Sequence, residues 1–209
     1  MSHSAHDQEN HDQSSEPDSP DQIKSWHFNA HTYLDMIIAD DRWSAHIDEA
    51  LQQDLHQMVI FITELISADY FTANLRWTDD AEMTALNAQF RQKDKPTNVL
   101  SFPDDSLFYD DDLTSDNDFP SDNDKADDSA APQALRLGDL AFGFETMARE
   151  AQDMNICIAA HMRHLIIHGL LHLIGYDHET AEDAEEMEAL EIAALAVIGV
   201  ENPYQGELI

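Results

Sequence analysis

The chain has 209 residues, of which 43% are hydrophobic, with one cysteine and a formal net charge of −33 at pH 7. This length predicts one domain with extensions, and a single cysteine excludes both a disulfide framework and a cysteine-rich zinc module. The net charge argues against nucleic acid as a partner unless the cations are concentrated in one place.

Two acidic segments carry part of this charge. Residues 1–25 hold six acidic side chains and one lysine, so we predict a disordered extension there. Residues 104–134 hold eleven aspartates and one lysine. Because structureless loops of this length are rare inside a domain, we interpret this segment as an insertion between two strands. One folded domain is then expected over residues 26–205.

The sequence also predicts where the protein works. Its first residues lack the basic and apolar regions of a signal peptide, and no apolar run reaches the ~18 residues that span a bilayer. One cysteine suits a reducing compartment. We therefore expect a cytoplasmic protein with no membrane partner.

The pattern of apolar residues alternates between two periods along the chain. The helical period predicts helices over 48–69, 80–91, 144–154 and 157–174, and a last helix that begins near Thr180. The alternating period predicts strands over 71–78, 97–103 and 136–142. Helices and strands in this order predict an α+β fold, a small mixed sheet flanked by helices.

The stretch HGLLHLIGYDH places His168, His172 and His178 at the spacing of a zinc-protease signature. The first two histidines share a helix face, and Gly175 allows the left-handed turn that brings the third one back. Three imidazoles leave a coordination position open for water, which is typical of catalytic zinc. The sequence therefore predicts a metal site at a helix C-terminal turn, with zinc favoured over nickel, copper or iron.

The protease signature has a glutamate as general base where this chain has Gly169. Peptide hydrolysis needs proton delivery to a poor leaving group, so this loss favours a phosphodiester substrate. Two earlier histidines, His161 and His164, lie on about the same face; a packing role is favoured for them over support of the ligands. For Asp177, orienting an imidazole and capping the turn remain equal alternatives.

A phosphodiester substrate requires cations. The sequence RQKDK holds Arg91, Lys93 and Lys95 within five residues, although the whole chain has ten lysines and arginines. Arginine can bind a phosphate through two hydrogen bonds, and lysine acts as a point charge. The alternative is that these cations only complement the dipole of a helix C-terminus.

With both motifs in view, the chain resembles the YbeY family of bacterial zinc-dependent endoribonucleases. The resemblance rests on HGLLHLIGYDH and LNAQFRQKDKPTNVLSFP and covers roughly residues 70–205. It implies one zinc ion held by His168, His172 and His178, with Arg91 as the essential cation. It also implies cleavage of single-stranded RNA, maturation of the 3′ end of the 16S rRNA precursor, and ribosome quality control. Lys93 and Lys95 are then expected to bind RNA.

Two other functions remain possible from the residues alone. One is another zinc metallohydrolase, such as a peptidase whose base comes from elsewhere in the fold. The other is a factor that binds the small ribosomal subunit or assembly factors through its acidic surfaces, with a structural metal.

Overall fold

A five-stranded mixed sheet organises the chain in the computed structural model, which describes residues 21–68, 70–107 and 134–205. The strands are β1 (Gln22–His27), β2 (Tyr33–Ile38), β3 (Phe71–Thr78), β4 (Val99–Pro103) and β5 (Leu135–Gly143). Their order is β1-β2-β3-β5-β4, parallel at β2-β3 and β3-β5 and antiparallel at both edges. The predicted small mixed sheet is confirmed.

Helices cover the sheet, as the predicted α+β class requires. They are α1 (Glu49–Ile66), α2 (Asp80–Arg91), α3 (Phe144–Asp153), α4 (Ile158–Leu173) and α5 (Ala181–Val197). Each predicted helix is present to within a few residues. Asp48, Asp79 and Thr180 accept backbone N–H groups at the starts of α1, α2 and α5, which is the role expected of short polar side chains there.

The core lies between the sheet and α1, α4 and α5. Strand β3 alternates as predicted, with Phe71, Ala73, Leu75 and Trp77 buried. The Trp77 ring stacks on Phe142 of β5 with centroids 4.3 Å apart. Helix α4 is buried along most of its length and contacts both β4 and β5. A rigid central helix is therefore available to hold functional side chains.

The N-terminal pair of strands was missed, and the predicted disordered boundary at residue 25 was wrong. Residues 22–27 pair with β2. Strand β1 is exposed at nearly every position, so it carries no apolar alternation from which it could be predicted. Strand β2 does carry that signal, because Leu34, Met36 and Ile38 point inward. Residues 1–20 lie outside the described chain.

The acidic segment 104–134 connects two strands that are neighbours in the sheet, since β4 and β5 pair from Val99 with Phe142 to Pro103 with Gly138. Residues 105–107 form a short 3-10 helix, and residues 108–133 lie outside the described chain. The low-complexity insertion itself stays a prediction. Within the described ranges no single helix is long and apolar enough to cross a membrane, although α3 and α4 together pass on length and composition with a 116° bend.

Candidate metal centre

Helix α4 and the turn that follows it bring the three predicted histidines together. His168 and His172 are one helical turn apart, and their Nε2 atoms are 3.1 Å from each other. His178 follows the turn, with its ring centroid 5.6 Å from that of His168 and 5.1 Å from that of His172. One nitrogen from each ring lies within 4.8 Å of the other two.

The turn after α4 depends on a glycine, as predicted. Gly175 has φ of 98°, a conformation that side chains with a Cβ rarely adopt. The Gly175 amide donates to the His172 carbonyl and the Tyr176 amide to the Leu171 carbonyl, at 3.2 and 3.1 Å. This pair of bonds is the Schellman arrangement of a helix C-terminus. It also aims the carbonyl of Tyr176 at His172 Nδ1, 2.9 Å away.

Hydrogen bonds at Nδ1 determine which nitrogen each ligand imidazole offers. The Tyr176 carbonyl can only accept, so His172 carries its proton on Nδ1. Glu191 Oε1 lies 2.8 Å from His168 Nδ1 and holds the proton there in the same way. Both Nε2 atoms are then free electron-pair donors that face each other. This is how metal-binding histidines are usually held.

This donor set fits a divalent ion of the zinc type. A tetrahedral zinc with Zn–N bonds of ~2.0–2.1 Å separates two ligand nitrogens by roughly 3.4 Å, close to the 3.1 Å between His168 and His172. Burial, followed by the charge that His168 carries when protonated, lowers the pKa of His172, which favours the neutral imidazole that metal binding requires.

Glu191 of α5 is the buried centre of the supporting network. Its side chain is 1% exposed and accepts from His168 and from His164, whose Nε2 is 2.7 Å from Glu191 Oε2. Tyr204 donates a third hydrogen bond to the same carboxylate. Burial alone would raise the pKa of Glu191, but the bonds from His164, His168 and Tyr204 outweigh it and lower the pKa to about 2. The carboxylate is therefore ionised.

The two earlier histidines of α4 have different roles. His164 shares Glu191 with His168 and so belongs to the network around the ligands, which is the alternative that the sequence disfavoured. His161 is 4% exposed and bonds to Glu150 at 2.9 Å instead. Burial raises the pKa of Glu150, and the hydrogen bonds from His161 and Asn98 lower it. The net result is a lowered pKa. Asp177 Oδ1 accepts the His178 amide at 2.7 Å, which favours the capping role over a bond to an imidazole.

The position of the missing glutamate has a packing explanation. Gly169 lies against β5, and a Cβ built on it would be 2.8 Å from Leu140 Cδ2 and 3.0 Å from Leu140 Cδ1. The glycine lets α4 approach the sheet closely. Any larger residue at this position, glutamate included, would require the Leu140 side chain to shift.

A cleft of about 1010 Å³ joins the histidines to the predicted basic cluster. Its lining includes all three histidines, Arg91, Lys93 and Lys95, and also Arg149 of α3. Arg91 is the last residue of α2, and its Nη2 donates to the Ser101 carbonyl of β4 at 3.0 Å. The structure thus brings together the two motifs, which are far apart in sequence.

Arg91, Lys93 and Lys95 differ from several arginines elsewhere in the chain in their ion pairs. Arg42, Arg76, Arg136 and Arg163 each have a carboxylate within 3.0 Å. In the described part of the chain Arg91, Lys93 and Lys95 have no carboxylate within ion-pair distance. Glu150, Asp177 and Glu179 also line the cleft, so an anion would be attracted to the part of it that holds Arg91, Lys93 and Lys95.

Sequence reasoning missed Glu191, Tyr204 and Arg149. Glu191 occupies a helix with many acidic residues and only its position on the buried face, four residues after Met187, distinguishes it. Arg149 is isolated among neutral and acidic neighbours in the sequence. No local pattern marks Tyr204, because its contact with Glu191 depends on the path of the chain after α5.

The chain is an α+β domain in which three histidines converge beside a cleft that also holds Arg91, Lys93 and Lys95. This arrangement is typical of metal-dependent proteins that bind anionic ligands. A family model described as Endoribonuclease YbeY matches residues 37–199, and the chain belongs to this family. A protein from Rhodopseudomonas palustris called Endoribonuclease YbeY is 37% identical over 92% of this chain and 90% of its own length. One of the same name from Ruegeria pomeroyi is 40% identical over 83% of this chain and 99% of its own length. The resemblance in the sequence is confirmed.

Proposed function

We propose that this protein is a metal-dependent endoribonuclease that cleaves single-stranded RNA. One observation carries the proposal: the three histidines and the unpaired cations Arg91, Lys93 and Lys95 line the same cleft. Membership of an endoribonuclease family supports it. From the family resemblance we also propose the precursor of 16S rRNA as the substrate and ribosome quality control as the process. The cytoplasmic location that we propose rests on the sequence instead, which has no signal-peptide pattern and one cysteine.

His168, His172 and His178 would hold one ion, and zinc is the ion that we propose. Such an ion, when bound, supplies Lewis acidity to a phosphoryl oxygen and acidifies water. The residues of the chain hold and orient the groups that bind the ion. Glu191 and the Tyr176 carbonyl keep the Nδ1 protons of His168 and His172 in place, so that neither ring has to reorient on binding.

Arg91 is the proposed catalytic cation. Its bond to the Ser101 carbonyl fixes the guanidinium at the edge of β4 and leaves other N–H groups for a phosphate. Fixed donors aimed at developing negative charge are the main contribution that a protein makes to phosphoryl chemistry. Lys93 and Lys95, both exposed, would attract the RNA backbone to the same cleft.

A peptidase is disfavoured by the edge of β4. Asn98 and Asp104 bond to β5, so Val99, Ser101 and Pro103 present their backbone groups outward. The Val99 amide donates to Asn98 Oδ1 at 2.7 Å, Arg91 occupies the Ser101 carbonyl, and Pro103 has no N–H. An extended peptide that added to this edge would lack the Val99 amide and the Ser101 carbonyl as partners.

The test compares wild type, His168→Ala and Arg91→Ala on single-stranded RNA and on casein. We expect wild type to cleave RNA, chelator to stop it, and both variants to lose activity while keeping the circular dichroism of wild type. Arg42→Ala is the control, because Arg42 pairs with Glu145 away from the cleft. Chelator-sensitive cleavage of casein with intact RNA would favour the peptidase. Rescue of ribosome defects by His168→Ala would favour a binding factor.

A further inference from the structure

An exposed aromatic pair lies next to the cationic cleft and has no part in the metal centre. Phe90 precedes Arg91 in α2 and is 53% exposed, although phenylalanine is usually buried. Its ring packs edge-on against Phe102 of β4, with centroids 5.0 Å apart at 68°. Phe102 is partly buried against Met83, Leu100 and Ala141. Phe102 thus supports the ring of Phe90 and leaves much of that ring open to solvent.

Phe90 and Phe102 lie next to residues that line the cleft and are not themselves part of its lining. Val99, Leu100, Ser101 and Pro103 of β4 line the cleft, whereas Phe102 is not part of the lining and packs against Met83, Leu100 and Ala141. Adjacent helical residues point about 100° apart. Arg91 accordingly reaches the edge at Ser101 while Phe90 covers Phe102. A strand of nucleic acid that passes Arg91 over this edge meets Phe90 next.

We propose that the exposed face of Phe90 is a stacking site for one unpaired nucleobase of the RNA. The inference rests on the proposed function and adds a reason for selectivity. Arg91, Lys93 and Lys95 neutralise phosphates, which single strands and duplexes both carry. A ring that stacks on a base accepts only single strands, because bases in a duplex already stack on their neighbours.

The closest alternative is that Phe90 only extends the apolar face of α2. Phe90→Leu separates the two roles, because leucine keeps an apolar contact with Phe102 and lacks a π face. Phe90→Tyr keeps the ring. Ile60→Ala is a control for the loss of an exposed apolar side chain, since Ile60 is 41% exposed on α1.

The experiment measures kcat and KM on a labelled single-stranded oligoribonucleotide, and competition by a duplex of the same sequence. Stacking of one base on an aromatic side chain predicts a rise in KM of roughly 5-fold or more for Phe90→Leu. Its kcat should change by less than about 2-fold, because Phe90 is not among the residues that line the cleft with the three histidines. Phe90→Tyr and Ile60→Ala should match wild type. Affinity for the duplex should be the same in all four proteins.

A second series uses oligoribonucleotides with one abasic nucleotide moved along the strand. At one position the abasic nucleotide should raise the KM of wild type as much as Phe90→Leu does, and Phe90→Leu should be insensitive there. If wild type cleaves the RNA and Phe90→Leu has the same KM, or if Phe90→Tyr is equally weakened, the stacking site is refuted while the nuclease stands. If wild type neither binds nor cleaves single-stranded RNA, the proposed function fails as well.

Discussion

Glu191 of α5 and His168 of α4 share a hydrogen bond of 2.8 Å, which links the helix that carries His168 and His172 to the next helix in the chain. Because the carboxylate is 1% exposed and accepts from three donors, it cannot turn away from His168 without leaving those donors unpaired.

Replacing Glu191 with glutamine should weaken metal binding while leaving the fold intact. The amide keeps the size of the side chain but offers one acceptor where the carboxylate has two, so His168 loses its fixed tautomer. Loss of such a partner typically lowers metal affinity about 10- to 100-fold. Competition with a chelator measures the change. Glu186→Gln, an exposed change on the same helix, should leave zinc affinity unaltered.

The pKa of Glu191 also predicts how stability depends on pH. The pKa falls from 4.5 to about 2 in the folded protein, so the carboxylate stabilises the fold above pH 4.5, and this contribution is lost as the pH falls toward 2. In metal-free protein, the difference in unfolding free energy between wild type and Glu191→Gln should narrow by about 2 kcal/mol from pH 6 to pH 3. Urea titrations measure it, and a constant difference would contradict the assignment.

Gly175→Ala should affect both stability and metal affinity. A Cβ at a φ of 98° costs about 1–2 kcal/mol and shifts the turn that aims the Tyr176 carbonyl at His172. Gly199→Ala is a matched control, because Gly199 has a φ of 72° after α5, with nothing within 4 Å of an added Cβ. Both variants should lose stability in thermal unfolding, whereas only Gly175→Ala should bind zinc more weakly.

Gly169→Ala tests the packing explanation for the missing glutamate. The added methyl group approaches Leu140 Cδ2 to 2.8 Å, which should cost about 1–3 kcal/mol. Combining it with Leu140→Ala should cost less than the sum of the two single changes, by at least about 0.5 kcal/mol. Additive effects in denaturant unfolding would mean that the two residues do not meet.

The dependence of RNA affinity on salt concentration tests the roles of Lys93 and Lys95 separately from that of Arg91. Each lysine replaced by alanine should weaken binding of all single strands alike. It should also reduce the slope of log affinity against log salt by about 0.7 for each phosphate that the lysine neutralises. Lys24→Ala is the control, because Lys24 is exposed on β1, at the opposite edge of the sheet. An unchanged slope would exclude the lysine from the RNA path.

The sequence predicted the parts of the site that follow helical spacing. His168 and His172 converge because residues four apart share a face, and His178 returns because Gly175 can turn. Glu191 could not be predicted, because its contact depends on how α5 packs on α4. The exposed strand β1 has no apolar pattern, and the packing role of Gly169 depends on Leu140, which lies 29 positions earlier.

The groups that position the metal ligands are close in the chain, which has a consequence for folding. The ligands, the Tyr176 carbonyl, His164, Glu191 and Tyr204 all lie in two consecutive helices, α4 and α5, and the segments next to them. The three histidines and the Tyr176 carbonyl lie within 11 consecutive residues, whereas Arg91 lies 77 positions before His168 and reaches the cleft only when β4 has paired with β5. We therefore expect the three histidines to come together during folding before Arg91 joins them.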